Sequence, residues 1–212
     1  MGKIKLTKGE LKRQRDSLKQ FQHYLPTLQL KKQQLQMKIL EARRSLQEKE
    51  TSLAEQRRAI DRWVGLLADP MMPQSMDFKE WLIPSLQDVI IEAVNIAGAD
   101  VPVLRDVRFK DADYDLYLVP FWVDKGLAAM RRFVRDYVEA GIIREQIKIL
   151  QKELRVTTQR VNLFEKVKIP ECLEHIRVIR ICLGDQQANA VGISKVAKKK
   201  IEFMAELDAV AA

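Results

Sequence analysis

Three small clusters in this 212-residue chain carry side chains of the kinds that hold metals or move protons. Cys172, His175 and Cys182 could ligate zinc, since Cys172 and His175 share one helical face. No fourth ligand is evident and the spacing fits no common zinc pattern, so a packed helix face accounts for them better. Asp111, Asp113 and Asp115 open like a calcium loop. Leu116, however, stands where glycine is required and Trp122 where the bidentate glutamate belongs. His23 and Tyr24 are neighbours beside an apolar stripe and read as packing or surface residues. No serine or cysteine has a base near it in sequence that could activate it. Neither a G-x-x-x-x-G-K-S/T loop nor a strand-turn-helix G-x-G-x-x-G occurs. The expectation is a binding or transmitting protein with no catalytic residue, no metal and no cofactor.

The elements that would position such groups dominate the chain instead. Charged residues make up 31% and apolar residues 47%, with only 7% aromatic, a composition typical of long helices and coiled coils. Leu11, Leu18, Leu25, Ile39, Leu46, Leu53, Ile60 and Leu67 repeat every seven residues, broken only by Lys32. A second set three residues later includes Phe21, Leu28, Leu35, Ala42 and Trp63. Such a repeat predicts one long helix that buries a seam against another. Thr7 with Glu10 makes a capping box, so the helix should run from Thr7 to about Asp69. Pro26 costs one hydrogen bond inside it. Leu25 and Leu28 keep the register across the proline, which favours a kinked continuous helix over two shorter ones.

Pro70, Pro73 and Pro84 end that pattern. From Asp88 to Val119 the texture becomes β-like, with Val89–Val94 leading through Asn95-Ile96-Ala97-Gly98 into Val101, Val103, Val107 and Phe109. In Asp111–Leu118 polar and apolar residues alternate with a period of two, as in a half-buried strand. A hairpin of two or three strands is expected here. A second long helix should start near Asp124, with its seam through Leu127, Val134, Ile143, Ile147, Leu150, Leu154, Val161 and Phe164. The register slips near Ile169-Pro170 and resumes at Leu173, Ile176, Ile179 and Leu183, the slip locally changing the winding. Gly184 and Gly192 should loosen the last stretch. The fold class is therefore mainly α. Residues 1–69 and 124–212 form an antiparallel two-helix coiled coil, and 70–123 a central insert with short strands. In such a rod both termini lie at one tip and the insert at the other.

Charge is uneven. Residues 1–69 carry 16 Lys/Arg against 8 Asp/Glu, residues 70–123 carry 4 against 9, and residues 124–212 carry 17 against 12. Lys3, Lys5, Lys8, Lys12, Arg13 and Arg15 would converge at the tip with Lys195, Lys198, Lys199 and Lys200. A solvated face, an acidic protein surface and nucleic acid are the alternatives for this cluster. It lacks the interleaved aromatics that stack bases. The two cysteines make no disulfide framework and read as reduced thiols of a cytoplasmic protein. No stretch approaches the roughly 18 apolar residues of a membrane span.

Several segments, in order, resemble the D subunit of V-type and A-type rotary ATPases. Leu6-Thr7-Lys8-Gly9-Glu10-Leu11-Lys12 resembles that family's P-T-K/R-x-x-L-x start, with Leu6 in place of proline. Leu28–Leu35, Asn95-Ile96-Ala97-Gly98-Ala99-Asp100-Val101-Pro102 and Lys195–Glu202 each look like a family stretch. Most specific is Arg160-Val161-Asn162-Leu163-Phe164-Glu165-Lys166-Val167-Lys168-Ile169-Pro170. The departures lie mainly in residues 66–90 and 183–193.

The resemblance implies a non-catalytic central-stalk rotor shaft, one copy per complex, that couples proton or sodium transport to ATP synthesis or hydrolysis. It implies that the coiled coil enters a head of catalytic and regulatory nucleotide-binding subunits. The small F subunit would bind along it, and a funnel-shaped subunit above the membrane ring would seat its other end. It also implies no direct nucleic-acid binding, and a cytoplasmic place peripheral to the membrane, reached only through partners. The competing class is a basic coiled-coil scaffold or nucleic-acid-associated protein.

Overall fold

The computed structural model describes residues 5–65, 86–110 and 122–211, with side chains described through Met204. Lys3, Leu67, the prolines at 70, 73 and 84, the acidic triplet Asp111, Asp113 and Asp115 and the strand expected over Asp111–Leu118 lie outside these residues.

The described chain is mainly helical, with a small antiparallel hairpin in its middle. Helix α1 spans Lys8–Val64. Its start is fixed as the capping residues require: the Glu10 amide donates to Thr7 Oγ1 (3.3 Å) and the Leu11 amide to the Thr7 carbonyl (3.0 Å). The Glu10 carboxylate accepts instead from Gln14 Nε2 (2.9 Å). The helix passes through Pro26 without a break, so the two-helix alternative falls. Strands β1 (Leu86–Ile96) and β2 (Ala99–Phe109) follow, then helix α2 (Trp122–Leu163), a π-helical turn (Phe164–Lys168) and helix α3 (Ile169–Ala211). Gly184 and Gly192 do not interrupt α3.

Two compact units divide the chain, residues 31–157 and residues 1–30 with 158–212. In the unit of residues 31–157, α1 and α2 run antiparallel. Lys31 pairs with Glu153, Lys49 with Asp136, and Trp63 lies 6.1 Å from Trp122 between ring centroids. Leu35, Ile39 and Leu150 meet Ala99 and Val101 of β2 in one buried cluster. Each fully buried leucine or valine of this cluster contributes roughly 1.5–3 kcal/mol.

The hairpin is closed by Ala97 (φ 51°) and Gly98 (φ 79°). Two consecutive left-handed residues are the mark of the tight turn whose twist matches the flanking strands. Asn95 braces it, accepting from the Gly98 amide (3.0 Å) and donating to Asp100 (2.6 Å). At the far end of the hairpin, Arg131 of α2 lies over the Phe109 ring and donates to the Lys110 carbonyl (3.1 Å).

A Cβ on Gly98 would sit 3.2 Å from the Lys31 ammonium, which itself holds Glu153 at 2.8 Å. Gly98→Ala should therefore cost about 1–2 kcal/mol, from the left-handed backbone and the displaced ammonium together. Urea unfolding followed by circular dichroism measures it.

In the unit of residues 1–30 and 158–212, α1 again opposes its partner helix. Phe21 meets Phe164 at 5.1 Å, and the earlier residues Arg15 and Leu18 share a groove with the later residues Leu173–Ile181. The π-turn explains the register slip. A strict heptad continued from Val161 and Phe164 would place Lys168, Glu171, His175 and Val178 in the seam. The structure buries Cys172, Ile176 and Ile179, each one residue later. A turn closed at i+5 takes up one extra residue. The Ile169 amide reaches back to the Phe164 carbonyl, and Pro170, which cannot donate and whose ring crowds the preceding turn, follows at once. One expectation is corrected here. Leu173 is 51% exposed, and Cys172 takes the seam place expected of it.

Candidate functional site

The burial of α1 follows a two-stripe pattern. Leu11, Leu18, Leu25, Leu46 and Leu53 are half-buried, and Ile39 is buried, along the first stripe. Phe21, Leu28, Ala42 and Trp63 are half-buried and Leu35 fully buried along the second. Facing them, Ile147, Leu150, Val161 and Ile176 are buried, while Leu154 and Phe164 are half-buried. Lys32 sits half-buried at its seam position.

In the unit of residues 31–157 two members of the second stripe are polar, Lys49 and Gln56, and both turn to one carboxylate on α2. Lys49 Nζ lies 3.1 Å from Asp136 Oδ1 and 2.8 Å from Glu139 Oε2. Gln56 Nε2 donates to Asp136 Oδ2 (2.6 Å) and to Ser52 Oγ (3.1 Å). Burial pushes the Asp136 carboxyl up, but the Gln56 and Lys49 hydrogen bonds and the charges of Lys49 and Arg132 outweigh it and hold it below its usual range. The Glu139 hydrogen bond raises the Lys49 ammonium; burial opposes this, and Asp136 adds to the rise. Both groups are thus held charged. With Lys31–Glu153 (2.8 Å) and Arg144–Glu50 (2.8 Å), these pairs fix α1 against α2 in one register. Sliding one helix by a turn would break every pair at once.

Lys49, Gln56 and Asp136 are not among the residues that the sequence pattern singles out. Their signal is present only as gaps: the second stripe runs 42, 49, 56, 63, and its apolar members alone stand out.

In the other unit, Arg15, Lys19, Arg177 and Arg180 surround Leu18, Leu173, Ile176 and Ile181 in an open groove of about 570 Å³. Arg177 is held by Glu174 (2.7 Å). Lys5, Lys8, Lys12, Arg13, Lys195, Lys198, Lys199 and Lys200 are all exposed. Arg13 reaches Glu10 (3.6 Å) and Lys198 reaches Glu202 (3.6 Å). Among the described residues no hydrogen bond or ion pair joins the N-terminal cations to Lys195–Lys200. Cys172 lies in the seam, where burial and the neighbouring Glu171 push its thiol up, away from the reactive thiolate. No helix among the described residues is long and apolar enough to cross a membrane.

These features define a helix-pair protein with a docked hairpin, whose seam charges are spent on holding one helix against another. Over residues 10–199 the sequence matches the family model for the D subunit of ATP synthase. It is 41% identical over 201 residues to the D subunit of the V-type ATP synthase of Borreliella burgdorferi, covering 95% of this chain and 96% of that one. To the V-type ATP synthase D subunit of Chlamydia pneumoniae it is 42% identical over 118 residues, 56% of each chain. The same-named protein of Chlamydia felis is 42% identical over 108 residues, 51% of this chain and 52% of that one. The chain belongs to the family of ATP synthase D subunits. That membership implies a place in a multi-subunit complex.

Proposed function

We propose that this chain is the non-catalytic central shaft of a V-type ATP synthase, turning inside a hexameric head and coupling ion passage to ATP synthesis or hydrolysis. The observation that carries the reading is the family match across residues 10–199, on a chain whose helices are pinned in one register by Lys31–Glu153, Lys49–Asp136 and Arg144–Glu50. A shaft must resist slip between its helices, and pairs that break together supply that resistance. The basic end, Lys3 to Arg15 with Lys195 to Lys200, docks against the catalytic and regulatory nucleotide-binding subunits. The acidic insert governs assembly with the small F subunit and with the funnel-shaped subunit above the membrane ring.

Affinity purification in mild detergent, with partners counted by mass spectrometry, tests this. One copy of the chain with three each of two large nucleotide-binding subunits is expected. Recovery of the chain alone, or with nucleic acid lost steeply as salt rises, would replace the shaft with the basic scaffold. Removing residues 193–212 should lower rotation-coupled turnover while the F subunit still binds. Removing residues 88–119 takes Ala99 and Val101 out of the Leu35–Leu150 cluster, so it should lower the stability of the helix pair and also impair the lower assembly. Normal coupling in the first variant, or an intact lower assembly in the second, would remove the corresponding assignment.

A further inference from the structure

We propose that the outer edge of β1 receives an extended segment of another subunit as an added strand. The proposal rests on the reading that this chain works within a larger assembly. Among the described residues the sheet has two strands, so each strand has one edge that the other does not pair. The two edges differ. β2 lies against the helices, with Ala99, Val101 and Val107 buried and the Pro102 carbonyl accepting from Gln146 Nε2 of α2 (2.6 Å). β1 overhangs: eight of its eleven residues are exposed, and Val94, directly opposite the fully buried Val101, is 38% exposed. Among the described residues β1 makes no backbone hydrogen bond outside the hairpin.

An open edge offers a row of amides and carbonyls that another strand completes. Proteins that keep such an edge free blunt it with charged side chains (lysine above all), proline, β-bulges or shortness, and in β1 the bulges and Asp88 fall before Ile91–Ile96. β2 carries Pro102, Arg105 and Arg108, whereas β1 contains no Lys, Arg or Pro across eleven residues, a reach of roughly 36 Å. Its two register irregularities, at Leu86/Asp88 and Ile90/Ile91, leave Ile91–Ile96 regularly paired with Leu104–Ala99. Ile91 (52% exposed) and Val94 stand on opposite faces of that stretch, so an incoming strand meets apolar contact on both. The charges of β1 are Asp88 and Glu92, the latter already paired with Arg105. The occupant is therefore an extended, β-branched segment with Lys or Arg near Asp88, contributed by another subunit.

Hydrogen–deuterium exchange of the Ile91–Ile96 amides, in the isolated full chain and in the assembled complex, tests the assignment. The outward amides should exchange at least about tenfold more slowly in the complex. Ile91→Lys with Val94→Lys should abolish that protection while the helices and the rest of the complex persist. Equal exchange in both states would overturn the proposal. So would protection already present in the isolated monomer, which would put a segment of this chain on the edge, or protection that tracks self-association, which would put a second copy there. A chain that recovers no partner ends the shaft reading and this one with it. An intact complex with unchanged exchange ends this one alone.

Discussion

Leu35→Ala should destabilise the unit of residues 31–157 by about 3–4 kcal/mol, in the middle of the range for a leucine removed from a core. Leu35 is 0% exposed and lies where three elements meet, in one cluster with Ile39 on its own helix, Leu150 on α2, and Ala99 and Val101 on β2. Helices and hairpin must all keep their places for the pairs around them, so little collapse into the cavity is open to them. The loss is partly transfer free energy and partly the unfilled space. Chemical unfolding followed by circular dichroism measures it, with Met37→Ala as the control. Met37 is on the same helix but 64% exposed, and its truncation should stay within about 0.5 kcal/mol. A Leu35 variant as mild as the control would show that the hairpin is not seated on the helices in solution.

Asp136→Ala is the second large effect, about 2–3 kcal/mol. Removing one member of a fully buried pair costs about 3–5 kcal/mol. The Asp136 side chain is 13% exposed, but Lys49 and Glu139 are 32% and 34% exposed, and water screens part of the loss. Gln56 adds to it: its Nε2 loses its shorter bond while its buried Oε1 already lacks a partner. Replacing Lys49 and Asp136 together by leucine should return most of the stability and give up the fixed register. The pH dependence has a defined sign. Asp136 titrates below its ordinary 3.8 when folded, so its contribution is present above 3.8 and lost as pH falls through the folded value. Lys49 titrates above its ordinary 10.5, so its contribution is complete below 10.5 and lost as pH rises through the folded value. The gap between wild type and Asp136→Ala should be flat between those limits and shrink in acid. A gap unchanged at about pH 2.5, well into the range where carboxylates take up protons, would remove the ion pair as its cause.

Much of this was legible from side-chain period alone. The seven-residue repeat gave α1 its length and its buried stripes, because a helix that must bury one seam can hide only about two positions in seven. Asn95 through Gly98 gave the turn of the hairpin, because two left-handed residues in succession favour glycine there. What escaped was chemistry that does not show as hydrophobicity. Lys49 and Gln56 look like surface residues until Asp136 is set opposite them, far along the chain. The exchange of Leu173 for Cys172 escaped for a different reason. The apolar pattern shows that the register slips near Pro170 but not at which residue the seam resumes, because steps of three and of four are both allowed and Cys172 and Leu173 are both apolar. The cationic groove between Leu18 and Ile181 needed both helices to be aligned before its cations stood together.

The π-turn also sets the clocking of everything downstream of it. One residue is about 100° of helical azimuth. With Phe164–Lys168 wound as a plain α-turn, Cys172, Ile176 and Ile179 would swing out of the seam by that angle. Arg177 and Arg180, which now flank Leu18, would swing with them. A single-residue deletion in this turn would remove the residue that the π-turn absorbs, and a plain α-helix would then keep the same meridian of α3 in the seam; straightening the turn with that residue kept would present a different one.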